Sequence, residues 1–219
     1  MLFTTGTKIL FMGDSITDAG RTQPVGEGLF GPYGAGWVNQ VAGLLGESYP
    51  ERRLRLVNMG TSGHTVRDLA ERWDRDVFQQ KPDWVVVMIG TNDVWRQFDL
   101  PLQPEIHVLE AEYRATLDRL VSETLPRVRG MVLLTPFYLE SNRTDAMRAA
   151  MDRYGDIVRE TAERHGTRFA DTQAAMAPLL ANYHSSYVSW DRVHPSAIGH
   201  MAITRAFLDA VEFHWGGEE

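Results

Sequence analysis

Cysteine is absent from the 219 residues, which removes disulfides, cysteine-ligated zinc, iron–sulfur clusters and a thiolate nucleophile together. The compartment stays open on that count alone. Positive charge is also short: 22 basic against 29 acidic residues leave a net charge of −7 with no basic run, so no nucleic-acid partner is expected. No apolar stretch approaches the ~20 residues needed to span a bilayer. The opening segment Met1 to Lys8 has no basic stretch leading into an apolar one. The expectation is therefore no membrane partner and a cytoplasmic location, with the sequon at Asn142-Arg143-Thr144 a chance match. Repeats, low-complexity tracts and linkers are missing as well. Gly26-Glu27-Gly28-Leu29-Phe30-Gly31 spells the dinucleotide fingerprint, but no strand runs into it and Pro24 and Pro32 flank it. With no Walker, His-Glu-x-x-His or calcium-loop pattern and the seven histidines scattered, neither a cofactor nor a metal is expected.

What remains is a globular composition, 43% hydrophobic and 23% charged, in a chain one domain can absorb, so residues 1–219 are expected to form a single domain. Short apolar runs bounded by turn residues alternate with helical patterns, the signature of a parallel sheet in an α/β fold. Five strands are expected, at Lys8 to Met12, Leu54 to Val57, Trp84 to Ile89, Gly130 to Leu134 and Thr167 to Ala170. The third is apolar on both faces and should be central. Helices are expected at Gly36 to Ser48, Val66 to Gln80, Glu105 to Thr124, Thr144 to His165 and Ser196 to Phe213. The glycines between Gly20 and Gly46 mark a long loop after the first strand.

Ligands of open parallel sheets sit at the carboxyl ends of the strands. Gly13-Asp14-Ser15 follows the first strand, Asn58 to Gly63 the second and Gly90-Thr91-Asn92-Asp93 the third. A hydroxyl, small backbone donors and a side-chain amide thus converge on one edge, which is what acyl transfer requires. A serine also needs a base. In Trp190-Asp191-Arg192-Val193-His194-Pro195 the spacing lets the Asp191 carboxylate accept from His194 Nδ1–H and present Nε2 to Ser15. Such a base must be neutral, so activity should fall on the acid side. Each piece has a bland alternative: Ser15 as a helix cap, Asn92 as a turn residue, Asp191 and His194 as capping groups ahead of Pro195. Their joint placement is what favours catalysis.

These blocks, in this order and spacing, resemble the GDSL-type esterases of the SGNH-hydrolase superfamily. Further segments are similar to the bacterial acetylxylan esterases within it: Asn92-Asp93-Val94-Trp95-Arg96-Gln97, Thr135-Pro136-Phe137-Tyr138, Asp171-Thr172-Gln173-Ala174-Ala175 and Trp190 to Ser196. The resemblance implies a flavodoxin-like three-layer α/β/α sandwich around a five-stranded parallel sheet. It implies Ser15 as nucleophile, His194 as base and acid and Asp191 as its orienting partner. The oxyanion donors it implies are the Ser15 N–H, the Gly63 N–H and the Asn92 amide. The substrate it implies is an acetylated xylo-oligosaccharide or a related sugar, and it implies homo-oligomers. The same machinery also serves lysophospholipases, thioesterases and short-chain aryl esterases. A carbohydrate-binding protein without turnover is the rival from another class.

Among the remaining residues, Asp14 and Asp93 are expected to hold loops through backbone amides rather than act as a glycosidase pair. Arg67 and Arg72 are expected on a solvated helix face, with Arg67 near enough to reach the site. His64 is expected to be a loop side chain and Asp18 a cap or a solvated group. Trp95 and Trp190 are expected to line the pocket, where flat apolar faces suit pyranose rings. Phe11 and Trp84 belong to the core, and Phe30, Tyr33, Tyr138, Tyr183 and Tyr187 to a pocket or an oligomer interface.

Overall fold

The structure, a computed structural model, describes residues 1–215. Trp84-Val85-Val86-Val87-Met88 forms β3, and its four apolar residues after Trp84 are buried because the strand has neighbours on both edges and helices on both faces. Around it lie β1 (Lys8–Gly13), β2 (Arg55–Asn58), β4 (Gly130–Leu134) and β5 (Arg168–Ala170), in the order β2-β1-β3-β4-β5. All pairings are parallel, with Leu10 beside Val57 and Val85, and Val86 beside Val132. The expected strands agree with these to within a residue at either end.

The order reverses between β1 and β3, so the chain leaves those two strands in opposite directions and opens a crevice at their carboxyl ends. The helices are α1 (Ser15–Asp18), α2 (Trp37–Ser48), α3 (Val66–Trp73), α4 (Thr91–Asp99), α5 (Glu110–Thr124), α6 (Ala146–His165), α7 (Thr172–Asn182), α8 (Ser185–Val188) and α9 (Ala197–Ala210). On one side of the sheet α9 packs against α2 and α7. On the other, α5 lies between α3 and α6. This is the three-layer arrangement expected.

Caps set the helix starts. Thr65 and Asp68 form a reciprocal capping box at α3, and Asp145 and Asp171 accept the N–H groups of Arg148 and Ala174 at the starts of α6 and α7. Gly36 offers α2 no side chain, and the Trp37 N–H instead donates to Nδ1 of His200, 3.2 Å away on α9. Burial pushes His200 down to about 4, which keeps that nitrogen an acceptor at neutral pH. One face of the sheet is filled by Phe3, Phe11, Trp37 and Phe207, with ring centroids 5.3 to 6.4 Å apart.

Four of these helices escaped the sequence reading. α1 and α4 begin immediately at the ends of β1 and β3, where the turn residues Gly13-Asp14 and Gly90 mask a helix start, α7 has its apolar pattern broken by Pro178, and α8 is a single turn of four residues. The helix expected from Val66 continues past Trp73 as a π-helical turn, Asp74–Phe78. Among the described residues no helix is long and apolar enough to cross a membrane.

Candidate active site

Ser15 owes its position to a tight junction. β1 ends at Gly13, where a Cβ would lie 2.6 Å from the Met88 carbonyl of β3 and 2.3 Å from the Thr17 hydroxyl, so only glycine lets the chain turn there. Asp14 then caps α1, accepting the Ile16 N–H at 2.9 Å, and Ser15 is the first helical residue. At that position its N–H has no intrahelical acceptor, and none is found elsewhere among the described residues.

The Ser15 hydroxyl donates to Nε2 of His194 at 2.7 Å, and Nδ1 of His194 lies 2.6 Å from Oδ2 of Asp191. Since Nδ1–H is held by the carboxylate, Nε2 is left as the acceptor the serine needs. Asp191 is itself anchored: its Oδ1 accepts from the N–H groups of Val193 and His194 and from the Ser189 hydroxyl, at 2.7 to 3.0 Å. Burial works to raise the Asp191 pKa, but the hydrogen bonds from His194 and Val193 outweigh it and hold the group at about 2. The side chains stay open to solvent, 45% exposed for His194 and 33% for Asp191.

The turn carrying Asp191 and His194 is tied down from outside, by residues the sequence reading did not single out. Arg192 adopts a left-handed φ of 64°, its carbonyl accepts the Leu139 N–H at 2.9 Å, and its guanidinium pairs with Glu140 at 2.7 Å. A non-glycine residue in that region is strained, so the clamp from the β4–α6 connection sustains the turn.

The β2 loop approaches from the other side. Asn58 is fully buried and donates to the carbonyls of Thr17 and Tyr33 while accepting the Gly60 N–H. Gly63 has φ of +81°, a conformation costly for any other residue, and its N–H also lacks an acceptor among the described residues. Asn92, in the first turn of α4, donates one amide hydrogen to the His64 carbonyl at 2.9 Å. Its Oδ1 accepts from Arg96 at 3.2 Å, and because a guanidinium only donates, this contact fixes which end of the amide is the nitrogen. One Nδ2–H remains for a ligand.

Asp14 and Asp93 do hold backbone amides, those of Ile16 and Val66. Asp18 is buried and binds Ser62 and the Arg21 N–H rather than solvent. Arg67 does not reach the site, since Glu112 holds it bidentately at 2.8 and 2.9 Å. Arg72 is not solvated at all: it is 6% exposed and points inward beneath the strand ends, because those carbonyls and Asp76 give its donors partners there. Trp95 stands 5.9 Å from the His194 ring in an edge-on arrangement. Trp190, beside Asp191, is 90% exposed in the single chain. Among the described residues no cluster of His, Asp and Glu has the arrangement of a metal site.

Preorganised donors of this kind are worth most where charge develops during reaction. Asn92→Ala is expected to lower kcat for an acetyl ester by about 2.7–4 kcal/mol of transition-state stabilisation, with little change in KM. Steady-state kinetics on purified variant and wild type checks this, and an unchanged kcat removes Asn92 from the site.

Residues 11–202 match the family described as GDSL-like Lipase/Acylhydrolase. An acetylxylan esterase of Geobacillus stearothermophilus is 55% identical over 210 residues, spanning 96% of each chain. The crystal structure of Axe2, an acetylxylan esterase from the same organism, has a TM-score of 0.97 at 54% identity and covers 98% of both chains. LAE5, an alpha/beta hydrolase from the metagenome of Lake Arreo, Spain, has a TM-score of 0.94 at 55% identity, covering 97% of this chain and 98% of its own. Solved forms of Axe2 include catalytic mutants named S15A, D191A and H194A. With the family match and these identities running over nearly the whole chain, the protein belongs to the GDSL-like lipase/acylhydrolase family and is a carboxylic ester hydrolase.

Proposed function

We propose that this hydrolase removes O-acetyl groups from acetylated xylo-oligosaccharides, working as one domain with Ser15, His194 and Asp191 as its catalytic set. The observation that carries the reading is the unbroken hydrogen-bonded line from the Ser15 hydroxyl through His194 to Asp191, at 2.7 and 2.6 Å. Axe2 supports the same assignment, since its catalytic mutants bear the residue types and numbers of those three groups.

In the reaction Ser15 Oγ attacks the acetyl carbonyl carbon while its proton passes to His194 Nε2. The carbonyl oxygen becomes an oxyanion and takes hydrogen bonds from the N–H groups of Ser15 and Gly63 and from Asn92 Nδ2–H. His194 then gives its proton to the sugar oxygen as the bond from that oxygen to the acetyl carbon breaks, releasing the sugar alcohol and leaving an acetyl-serine. Water, deprotonated by the same imidazole, attacks that ester and releases acetate. Asp191 holds the ring in its working tautomer throughout. The exposure of His194 suits a small acyl group carried on a bulky polar body, and Trp95 offers an apolar surface beside the imidazole for the sugar ring.

The testing experiment is acetate release from acetylated xylo-oligosaccharides by wild type and Ser15→Ala, with an octanoyl ester alongside. Turnover of the acetylated sugar, lost in the variant and at least tenfold weaker on octanoate, is expected. Octanoyl preference would move the substrate to lipids and overturn the proposal. Assembly into homo-oligomers and a cytoplasmic site of action belong to the same proposal. The first is supported by Phe30, Tyr187 and Trp190, which are 98%, 67% and 90% exposed, a burden for a lone subunit. Light scattering decides the first and cell fractionation the second.

A further inference from the structure

The three loops that carry the oxyanion donors come from three strands, and one buried side chain touches two of them directly and reaches the third through His64. Arg72 sits on α3, a residue only 6% exposed. Nη2 donates to the Gly13 carbonyl at 3.1 Å, two residues before Ser15. Nη1 donates at 2.7 Å to the Met59 carbonyl, which opens the loop running to Gly63. Nε donates at 3.1 Å to Nδ1 of His64, the residue after Gly63, whose own carbonyl accepts the Asn92 amide at 2.9 Å. The Thr61 N–H closes the circuit at 3.0 Å on the same Gly13 carbonyl that Arg72 binds. Asp76, equally buried, meets Nη1 at 2.9 Å and is held in turn by Arg75.

We infer that Arg72 is a positioning residue for the oxyanion hole, fixing the Ser15, Gly63 and Asn92 donors relative to one another through the Gly13, Met59 and His64 contacts. This rests on the acyl-transfer reading above. A buried ion pair is a poor source of stability, because desolvating both charges cancels much of their attraction and apolar residues of equal volume often serve as well. A guanidinium, however, is a rigid planar fork whose donors leave in fixed directions, so it spaces three acceptors as no flexible ammonium does. Catalysis demands that spacing, since donors displaced by a fraction of an ångström cease to meet the charge as it forms. Neither Arg72 nor Asp76 contacts the Ser15–His194–Asp191 line, so the effect is confined to oxyanion binding.

The test is a double-variant cycle of Arg72→Lys with Asn92→Ala, read on an acetyl ester. Arg72→Lys is expected to lower kcat 10- to 100-fold with KM within threefold and with the acid limb of the pH profile unmoved. In the double variant the loss is expected to exceed that of the worse single change by less than threefold, because both act on one site. Effects that multiply, an unchanged kcat, or a displaced acid limb would each overturn the inference. Asp76→Asn, which keeps the guanidinium but loosens its anchor, provides the same cycle should Arg72→Lys not fold, with a smaller loss of the same pattern expected and multiplicative losses again overturning it. The two readings fail separately: turnover surviving in Ser15→Ala would strike the acyl-transfer assignment, whereas normal Ser15→Ala and Asn92→Ala losses beside an inert Arg72→Lys would strike only this one.

Discussion

Ser15→Ala and His194→Ala are each expected to lower kcat for an acetyl ester by about 10⁵- to 10⁶-fold, and the double variant to be no slower than either. The reason is that the two groups perform one act. Without His194 the Ser15 hydroxyl has nowhere within reach to send its proton, and without Ser15 the 2.7 Å hydrogen bond that makes the imidazole a base for attack has no donor. Removing the second partner therefore removes nothing that was still working. Asp191→Asn should be milder, about 10⁴-fold, because the ring stays in place while its amide partner stabilises the wrong tautomer. Steady-state kinetics on the purified variants at known protein concentration measures all three. Losses that multiplied in the Ser15/His194 double variant would mean the residues act in separate steps.

The second large effect concerns stability. Asp93 lies at the site's floor, fully buried, with Oδ1 on the Val66 N–H at 3.0 Å and Oδ2 without any hydrogen-bond partner among the described residues. Burial pushes it up to about 8, with the nearby Asp14 carboxylate adding to the shift, so Asp93 carries a proton at neutral pH. The unfolded chain, with an ordinary carboxylate near 3.9, binds fewer protons at this position over that whole window. Stability therefore falls as pH rises through it, and the loss is complete only above about 8. Asp93→Asn keeps the shape and the Val66 contact without an ionisable group. Its unfolding free energy, from urea melts, is expected to gain on wild type by about 2–3 kcal/mol between pH 6 and pH 8. Parallel curves for the two proteins would show that Asp93 is ionised throughout and that the folded chain tolerates the charge.

Particular residues show where sequence reasoning reaches and where it stops. The run Val85-Val86-Val87-Met88 announces a strand buried on both faces, and β3 occupies the middle of the sheet. The three-residue spacing of Asp191 and His194 already dictates that one carboxylate serves the other's ring, a local matter within a single turn. Arg72 is the contrary case. Its sequence neighbours Asp68, Glu71 and Asp74 read as the polar face of a helix, and nothing nearby in the chain reveals that the carbonyls of Gly13, at the end of β1, and Met59, just after β2, wait beneath it. Trp190 marks another boundary. Adjacency to Asp191 suggested the pocket, and the turn that places Asp191 leaves the preceding side chain 90% exposed in the single chain. The Arg192–Glu140 clamp joins residues 52 apart in the chain and leaves no periodic trace.

By itself the sequence determined the parallel α/β sheet, the strand ends that carry Ser15, Gly63 and Asn92, and the serine–histidine–aspartate set. These rest on short-range patterns of apolarity, turns and spacing. Only the tertiary structure decided which polar side chains are buried, how the oxyanion loops are laced together by Arg72 and the Asn92–His64 contact, and what protonation Asp93 carries. Those properties depend on the distance between groups far apart in the chain and on how much water is excluded around them, and both come into being only when the sheet and its helices close.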